Sequence, residues 1–510
     1  MFAKVNSIGL FGMNTYSVGV EASLEMGLAR FDIVGLPDTA VSESRDRVRS
    51  AMKNSKFDYP CTRITVNLSP ADKKKEGPVY DLPILVALML ATNQLTADVS
   101  SCAFIGELSL SGKIKKINGA LPMVIHAKEA GIEKIFVPVE NASECCVVSG
   151  ISVYPVKDVK TLISHLQGKT KISPVDRSYY GEYEYPSELM FDFADVKGQF
   201  QVKRALEIAA AGGHNTLMIG PPGSGKSMLA KRIPSILPDM TFEESLETTK
   251  IFSIAGVLDD NISLIKSRPF RSPHHTISAA GLSGGGRIPR PGELSLSHHG
   301  VLFLDELPEF PRVSMEVLRQ PLEDGKITIS RVSGTLTYPC DVMLVCAMNP
   351  CPCGYYGHPT KKCTCPGKAP SKYLAKVSGP LLDRLDIHIE VPQVDFKKLS
   401  DDEPAESSAE IKKRVDKARK IQQKRLEGTG ITCNGKMTPA LTRRFCKLDQ
   451  KSKEMLERSF EVLGLSARAY DKILRVARTI ADLEGSENIL FEHVSEAVQY
   501  RSLDRKFWNE

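Results

Sequence analysis

The hydrophobic pattern of the first 165 residues mixes two periods. Short runs rich in β-branched residues over Arg63–Leu68 and Lys134–Pro138 predict strands. Apolar runs over Leu82–Asn93 and Leu121–Ala130 follow the helical period instead. This part of the chain is therefore predicted to be a mixed domain of strands and helices.

The rest of the chain changes pattern twice. A stretch rich in Tyr, Ser and Pro from about 168 to 186 is typical of a linker. From about 190 to 395 helical patterns alternate with short apolar strands, which predicts a parallel sheet covered on both faces. From about 396 onward the pattern is helical, and its basic run Ile411–Lys420 predicts a solvated helix face.

The composition indicates what kind of protein this is but points to no specific chemistry. Hydrophobic residues make up 42% and charged residues 25% of 510, which predicts a folded protein of several domains. A formal charge of +6 permits a nucleic-acid partner without demanding one. The N-terminus lacks signal-peptide features, and the most apolar stretch, Leu82–Ala91, is too short to span a bilayer, so we expect a cytoplasmic protein with no membrane partner.

One motif carries specific chemistry. The apolar run Thr216–Ile219 leads into a string that fits G-x-x-x-x-G-K-[ST], in the strand–loop–helix context that this pattern requires. Its backbone N–H groups and the following helix would cradle phosphates, Lys226 would reach the β- and γ-phosphates, and Ser227 would help to hold Mg²⁺. The predicted ATP cradle consists of Gly220, Pro221, Pro222, Gly223, Ser224, Gly225, Lys226 and Ser227.

Two further apolar strands end in polar residues. Gly300–Leu304 is followed by Asp305 and Glu306, and the run ending at Met348 is followed by Asn349. Ligands bind at the carboxyl ends of strands in open α/β sheets. Asp305 is therefore predicted to orient Mg²⁺, Glu306 to polarise the attacking water, and Asn349 to position that water.

Two arginines are candidates for stabilising charge on a transferred phosphoryl group. Arg384 is predicted in a surface turn, and Arg468 near the start of a helix. An arginine at either place is as readily an ordinary surface cation, so the chemistry of the residues leaves both interpretations open.

A cluster of cysteines follows the third strand. Cys351, Cys353, Cys363 and Cys365 lie on one glycine-bearing loop, where four thiolates could close a tetrahedral, structural zinc site. The C-x-C spacing is tighter than the usual C-x-x-C, so reduced thiols without a metal are the alternative.

Several strings together resemble the magnesium-chelatase-like AAA+ ATPases of the ComM/YifB family. They are Arg268–His275 (RPFRSPHH), Pro291–Gly300 (PGELSLSHHG), Leu304–Phe310 (LDELPEF) and Asn349–Gly354 (NPCPCG). The resemblance implies a homo-hexameric ring in which Arg384 is the arginine finger offered to the adjacent subunit. It also implies that Arg468 is the sensor of the helical lid.

Related ATPases carry two projections that line a central pore. The resemblance places an insert at about Ile277–Leu294, with Arg287 and Arg290, and a hairpin at about Gly325–Pro339, with Lys326 and Arg331. Arginine and lysine there would contact phosphates, which implies single-stranded or branched DNA as a partner. Ordinary solvated loops are the alternative.

In the N-terminal part, the strings Gly106–Gly112 (GELSLSG), Gly119–Pro138 and Asp81–Leu85 are similar to the proteolytic domain of Lon proteases. That enzyme uses a serine–lysine pair, but the serine-bearing loop here reads Gly77–Asp81 (GPVYD) and the position of the lysine holds Leu121. We expect the fold without protease activity, as a DNA-binding or assembly platform.

The predicted fold class is therefore α/β, with three domains and a linker. They are a Lon-protease-like α+β domain (1–167), a linker (168–189), an AAA+ P-loop αβα core (190–395) with a four-cysteine loop (351–365), and a C-terminal helical lid (396–510). By resemblance the function is an ATP-driven DNA branch-migration helicase in recombination and natural transformation. The alternatives are a magnesium-chelatase-type metal-insertion motor and an ATP-dependent unfoldase or protease-like protein.

Overall fold

The structure is a computed structural model, which describes residues 1–176, 191–286, 290–331, 334–393, 405–463 and 465–508. Two compact units divide these residues. The first contains the described residues up to 176, the segment Phe242–Lys266 and the described part of Thr328–Tyr338. The second contains the other described residues. Most of the predicted linker, 177–189, lies outside the described residues, as do 394–404, where the helical lid was predicted to begin.

The first unit is built on a mixed seven-stranded sheet. Its long hairpin, Phe2–Phe11 with Asn14–Glu25, is antiparallel, and three parallel strands continue from it at one side. The strand order is Arg30–Val34, Arg63–Ser69, Asn14–Glu25, Phe2–Phe11, Cys102–Phe104, Lys134–Pro138 and Ser152–Val156. The strands alternate buried and less buried residues, as the period of two requires.

Helices bury this sheet, and one of them comes from the middle of the chain. The α-helices of the unit are Thr39–Ser42, Ser44–Asn54, Asp81–Ala91, Ala120–Glu129, Ala142–Cys145, Val159–Leu166 and Phe242–Ala255. After Phe242–Ala255 the chain forms an ion pair with the rest of this unit: Oδ1 of Asp260 lies 2.5 Å from Nζ of Lys116. A further two-stranded sheet joins Glu107–Leu108 to Ile114–Lys115.

The second unit contains a five-stranded parallel sheet. Its strand order is Phe270–Arg271, Val301–Leu304, Met343–Met348, Thr216–Ile219 and Ile387–Glu390. The three central strands are buried throughout, which explains their continuous apolar sequences. Because every strand is parallel, the residues that follow the strands meet at one edge of the sheet.

Fourteen α-helices belong to the described part of the second unit. They are Phe200–Gly212, Lys226–Arg232, Ala279–Ser283, Glu293–Leu296, Arg312–Val317, Arg319–Asp324, Ala369–Leu374, Gly379–Leu382, Ser408–Arg425, Pro439–Phe445, Gln450–Leu463, Ala467–Glu484, Phe491–Gln499 and Leu503–Trp508. Those between residues 405 and 499 share a hydrophobic core with the sheet. Along Ser408–Arg425 the residues Ile411, Val415 and Ala418 are buried.

Small strand pairs occupy both places where projections were predicted. Gly284–Gly285 pairs with Arg290–Pro291, and Lys326–Arg331 pairs with Gly334–Pro339. Arg287 and the side chain of Arg331 lie outside the described residues. Among the described helices, none combines the length and the apolar character that are needed to cross a bilayer.

Candidate active site

The phosphate-binding motif lies between the central strand Thr216–Ile219 and the helix Lys226–Arg232. Gly223 and Gly225 have φ angles of +73° and +88°, which residues with a Cβ rarely adopt. A Cβ on Gly220 would lie 2.2 Å from the carbonyl oxygen of Val391. The glycines are thus required for the turn and for its close approach to the next strand.

The ammonium group of Lys226 lies inside this loop. Its Nζ donates hydrogen bonds to the carbonyl oxygens of Gly220 (2.8 Å) and Pro221 (2.9 Å), and to Oδ1 of Asn349 (3.2 Å). The pKa of Lys226 is lowered because burial removes water from the ammonium group, an effect that Asp305 and Glu306 oppose. The positive charge of Lys226 therefore lies in the loop for which the motif predicts phosphate binding.

Oxygen ligands converge beside this cation. The hydroxyl of Ser227 donates to Oδ2 of Asp305 at 2.5 Å, and Oδ1 of Asp305 accepts from the backbone N–H of Glu306 at 2.9 Å. A hydroxyl and a carboxylate at this distance suit Mg²⁺, which prefers oxygen ligands and is held by one or two carboxylates. The donor set therefore fits the predicted ion.

Sheet order explains how distant residues meet here. The strand before Asn349 lies between the strand before Asp305 and the strand that leads into the phosphate loop. Neighbouring strand ends therefore bring Lys226 into contact with Asn349, and Ser227 into contact with Asp305. Glu306 follows directly, with a left-handed φ of +53°.

Glu306 has a partner, His275, that was not among the predicted site residues. Nδ1 of His275 lies 3.3 Å from Oε2 of Glu306, and its ring packs at a tilt against that of His274, with centroids 4.1 Å apart. His275 closes the string RPFRSPHH, which was used only for the resemblance. Its position just after the strand Phe270–Arg271, next to the strand before Glu306, was the signal that could have found it.

The two candidate arginines lie elsewhere. Arg384 precedes the strand Ile387–Glu390, and its carbonyl oxygen accepts from Asn215, which precedes Thr216–Ile219. It therefore lies at the amino edge of the sheet, about 13 Å of strand from the phosphate loop. Arg384 lies in a turn, as predicted, but its side chain is only 13% exposed, because its guanidinium pairs with Glu323 (2.7 Å) and donates to two backbone carbonyls.

Arg468 is exposed in the first turn of the helix Ala467–Glu484, which Ser466 caps. Lys472, one turn later on the same helix face, forms a 2.8 Å ion pair with Asp386, two residues after Arg384. The helix face that carries Arg468 is thus directed to the amino edge of the sheet as well.

The four predicted cysteines are brought together. Their sulfur atoms all lie within 4.8 Å of one another, with Cys351 buried and the others partly exposed. The Sγ atoms of Cys351 and Cys353 are 3.3 Å apart, and those of Cys351 and Cys363 are 3.7 Å apart. A tetrahedron with Zn–S bonds of about 2.3 Å has edges of about 3.8 Å, whereas a disulfide needs about 2.05 Å. The set therefore fits a zinc ion better than a disulfide.

Comparison with known families covers most of the chain. Residues 192–399 match the family described as magnesium chelatase, subunit ChlI. Residues 20–141 match subunit ChlI of Mg-chelatase, and residues 405–501 match its C-terminal part. The uncharacterized protein YifB of Escherichia coli (strain K12) is 43% identical over 98% of this chain and 97% of its own. The chain belongs to the magnesium-chelatase-like AAA+ ATPases of the ComM/YifB family.

A second relative has a more informative name. The competence protein ComM of Haemophilus influenzae is 42% identical over 99% of this chain and 98% of its own. The resemblance inferred from the motifs is thereby confirmed, and so is the fold class: a parallel-sheet P-loop core, a helical C-terminal part and a Lon-like N-terminal part. Membership of this AAA+ family implies an ATPase.

Two of the sequence strings shared with the ComM/YifB family, RPFRSPHH and PGELSLSHHG, make contacts that stabilise the fold. Arg268 donates to the carbonyl oxygens of Pro238 (2.5 Å) and His299 (2.8 Å). Arg271 forms two hydrogen bonds, at 2.7 and 2.8 Å, with the carboxylate of Glu293 in the second string. These strings therefore tie the edge strand of the ComM/YifB sheet to the chain around it.

The likeness to Lon proteases is partial. Lon protease 2 of Bacillus subtilis is 24% identical over 179 residues, 32% of each chain. Tyr80 and Asp81, in the loop that corresponds to the serine-bearing loop of Lon proteases, and Leu121, at the position of their lysine, are buried. Asp81 accepts from Arg47 at 2.6 Å and from the N–H of Leu108 at 3.0 Å, so this carboxylate holds the fold together.

Proposed function

We propose that this chain is an ATP-hydrolysing ring motor that acts on DNA and drives branch migration in recombination and natural transformation. The observation that carries the motor is the contact of Lys226 with Asn349 and of Ser227 with Asp305 at one sheet edge. The DNA part is supported by the competence name of one relative and by the exposed basic residues of the two projections.

Each residue of the site has a role in hydrolysis. Lys226 binds the β- and γ-phosphates of ATP, and Ser227 and Asp305 hold Mg²⁺, which when bound neutralises phosphate charge. Glu306 accepts a hydrogen bond from the attacking water and polarises it. Asn349 contacts Lys226 at the same sheet edge, so its amide positions the water relative to the phosphates.

The edge positions of the arginines support a ring. Arg384 lies across the sheet from the phosphate loop of its own chain, so its guanidinium serves the nucleotide of a neighbouring subunit. Arg468, on a helix face directed to the same edge, acts there as the lid sensor. A closed homo-hexamer supplies both arginines to every site. In a chain outside the ring, the guanidinium of Arg384 forms an ion pair with the carboxylate of Glu323 instead.

The hairpin offers a polar face to DNA. Along Lys326–Arg331, Ile327 and Ile329 are buried, whereas Lys326, Thr328 and Ser330 are exposed. Arg290 in the insert is exposed as well. One lysine, one arginine and hydroxyl groups suit a sugar–phosphate backbone, which is contacted without regard to sequence.

The cysteine loop completes the proposal with structural Zn²⁺. Cys351, Cys353, Cys363 and Cys365 occupy all four positions of a tetrahedral site, so the ion stabilises the loop and takes no part in hydrolysis.

A metal-insertion motor is the second candidate, because every matched family description names magnesium chelatase. It requires partner subunits that bind a porphyrin. Co-purification of such subunits, together with an ATPase rate that DNA leaves unchanged, would favour it. An unfoldase or protease would instead degrade or unfold casein in an ATP-dependent manner.

The decisive test measures the ATPase rate with no DNA and with single-stranded, duplex and branched DNA, alongside migration of a labelled four-way junction. We expect stimulation that is strongest with branched or single-stranded DNA, and junction movement that requires ATP. Lys326→Glu with Arg290→Glu should abolish the stimulation, whereas Lys53→Glu, an exposed helix position in the other unit, should not. No stimulation and no migration by the wild-type chain would remove the DNA part.

A further inference from the structure

The cysteine loop touches the phosphate loop at one point. Gly354, which follows Cys353, packs closely on the phosphate loop: a Cβ on Gly354 would lie 2.2 Å from Cδ of Pro222. The φ of Gly354 is +83°, and its N–H donates to the carbonyl oxygen of Cys351 at 2.9 Å. The turn that carries the first two cysteines therefore presses its backbone against the third residue of the phosphate loop.

The N-terminal end of the same loop has a second connection to the site. Asn349, two residues before Cys351, is in contact with Lys226 at 3.2 Å. Pro222 is held from a further direction, since its carbonyl oxygen accepts from Gln393 at 3.3 Å. The phosphate loop thus contacts the cysteine turn at Gly354 and the chain before it at Asn349, and only four residues separate Asn349 from Gly354.

The cysteines are arranged to hold this turn when they bind a metal. Backbone N–H groups of Tyr356 and Cys353 donate to the sulfur atoms of Cys351 (3.3 Å) and Cys365 (3.4 Å). Such donors stabilise negative charge on the sulfur atoms and orient them. The stretch from Cys351 to Cys365 contains no α-helix or strand, so little except a metal would fix its backbone.

We propose that Zn²⁺ bound by Cys351, Cys353, Cys363 and Cys365 braces the phosphate loop through the contact of Gly354 with Pro222, so that zinc occupancy sets the affinity for nucleotide. This inference rests on the proposed ATPase. A loop already held in its binding conformation loses less conformational freedom when nucleotide arrives. Without zinc the turn loosens, Pro222 loses its support, and nucleotide binds more weakly although Lys226 is intact.

The test uses the full chain at constant Mg²⁺. Zinc is counted by mass spectrometry, and the affinity for a fluorescent ADP is measured before and after treatment with 1,10-phenanthroline, which prefers transition metals to Mg²⁺. We expect one zinc per chain, and an affinity at least about tenfold lower after its removal. Re-addition of Zn²⁺ should restore the affinity, and circular dichroism should show that the fold persists.

Two glycine variants distinguish the effect of the contact between Gly354 and Pro222 from the effect of backbone strain at a positive φ. Gly354→Ala should keep zinc and weaken ADP binding at least about tenfold, because the added Cβ displaces Pro222. Gly367→Ala is the matched control: its φ is also positive, at +42°, but a Cβ there meets nothing within 4 Å. It should leave the affinity near that of the wild type. Cys363→Ser should lose both zinc and affinity, whereas Cys61→Ser, outside the cluster, should lose neither.

Three results would overturn the inference. They are a chain purified without zinc, a zinc-free chain with unchanged ADP affinity, and equal effects of Gly354→Ala and Gly367→Ala. Each leaves the proposed ATPase standing. Failure of the zinc-loaded wild type to bind any nucleotide would instead contradict the proposed function itself, and with it the inference.

Discussion

Nδ1 of His275 lies 3.3 Å from Oε2 of Glu306. His275 follows the strand Phe270–Arg271, which is separated from the phosphate-loop strand by two other strands. The contact therefore draws the carboxylate of Glu306 towards the side of the sheet that is farther from Lys226. We interpret the pair as a restraint on Glu306.

Removing this restraint should raise basal hydrolysis. The two side chains are 31% and 56% exposed, and an exposed pair contributes at most about 1 kcal/mol, which corresponds to about fivefold in rate. We expect His275→Ala to raise the DNA-free ATPase rate by up to about fivefold and to reduce stimulation by DNA, as measured in a coupled assay. Ser272→Ala, an exposed position three residues before His275, is the control. A lower basal rate in His275→Ala would show that the contact supports Glu306 rather than restrains it.

Substitutions at the site should separate binding from hydrolysis. Lys226→Ala should weaken ATP binding about 10- to 100-fold, because charge-assisted hydrogen bonds to phosphate are lost. Glu306→Gln should bind ATP normally and hydrolyse it at least about 100-fold more slowly, since the amide cannot accept the proton of the water. Equilibrium binding and single-turnover hydrolysis measure the two effects. Equal loss of binding in both variants would contradict the separate roles.

The arginine positions predict an effect across subunits. Arg384→Ala should lower hydrolysis by about a thousandfold or more, because the arginine that stabilises the transferred phosphoryl group is missing. Mixing Arg384→Ala chains with Lys226→Ala chains should restore part of the activity, since some interfaces then combine an intact loop with an intact arginine. The same experiment applies to Arg468→Ala.

Arg312→Ala, an exposed arginine on another helix, serves as the control and should be fully active by itself. Absence of any rescue in the mixtures, with assembly intact by light scattering, would place both arginines outside a shared site.

A buried ion pair between the helix Ala467–Glu484 and the sheet should govern local stability. Although burial opposes the charged form of Asp386, Lys472 and His214 lower the pKa of its carboxyl group. Burial lowers the pKa of Lys472 to about 8, against the effect of Asp386. Asp386→Asn leaves Lys472 buried without its partner and should cost about 3–5 kcal/mol. Hydrogen exchange of the strand Ile387–Glu390 measures this loss.

The direction of the pH dependence follows from these shifts. A lowered pKa means that the contribution of Asp386 is present above its unfolded value, near pH 4, and is lost as the pH falls below it. Lys472 is more easily deprotonated in the folded state, so its own contribution rises with pH between about 8 and 10.4. The difference between wild type and Asp386→Asn should therefore shrink below pH 4. A constant difference would exclude Asp386 as the titrating group.

Much of the architecture could be predicted because its signals are local. The strands Thr216–Ile219 and Lys134–Pro138 have the predicted bounds, and the predicted helices differ from the observed ones by one or two residues. The phosphate loop was predictable since its glycines, lysine and serine are adjacent in the chain. Asp305, Glu306 and Asn349 could be added because strand ends in a parallel sheet share one edge.

The sequence by itself determined the elements, the phosphate loop and the family. Only the tertiary structure decided that Glu306 faces His275, that Gly354 supports Pro222, and that Arg384 pairs with Glu323 at the far edge of the sheet. The physical reason is that these contacts join segments tens of residues apart, and they depend on which strands are neighbours. Strand order comes from packing the whole unit, and no local period along the chain encodes it.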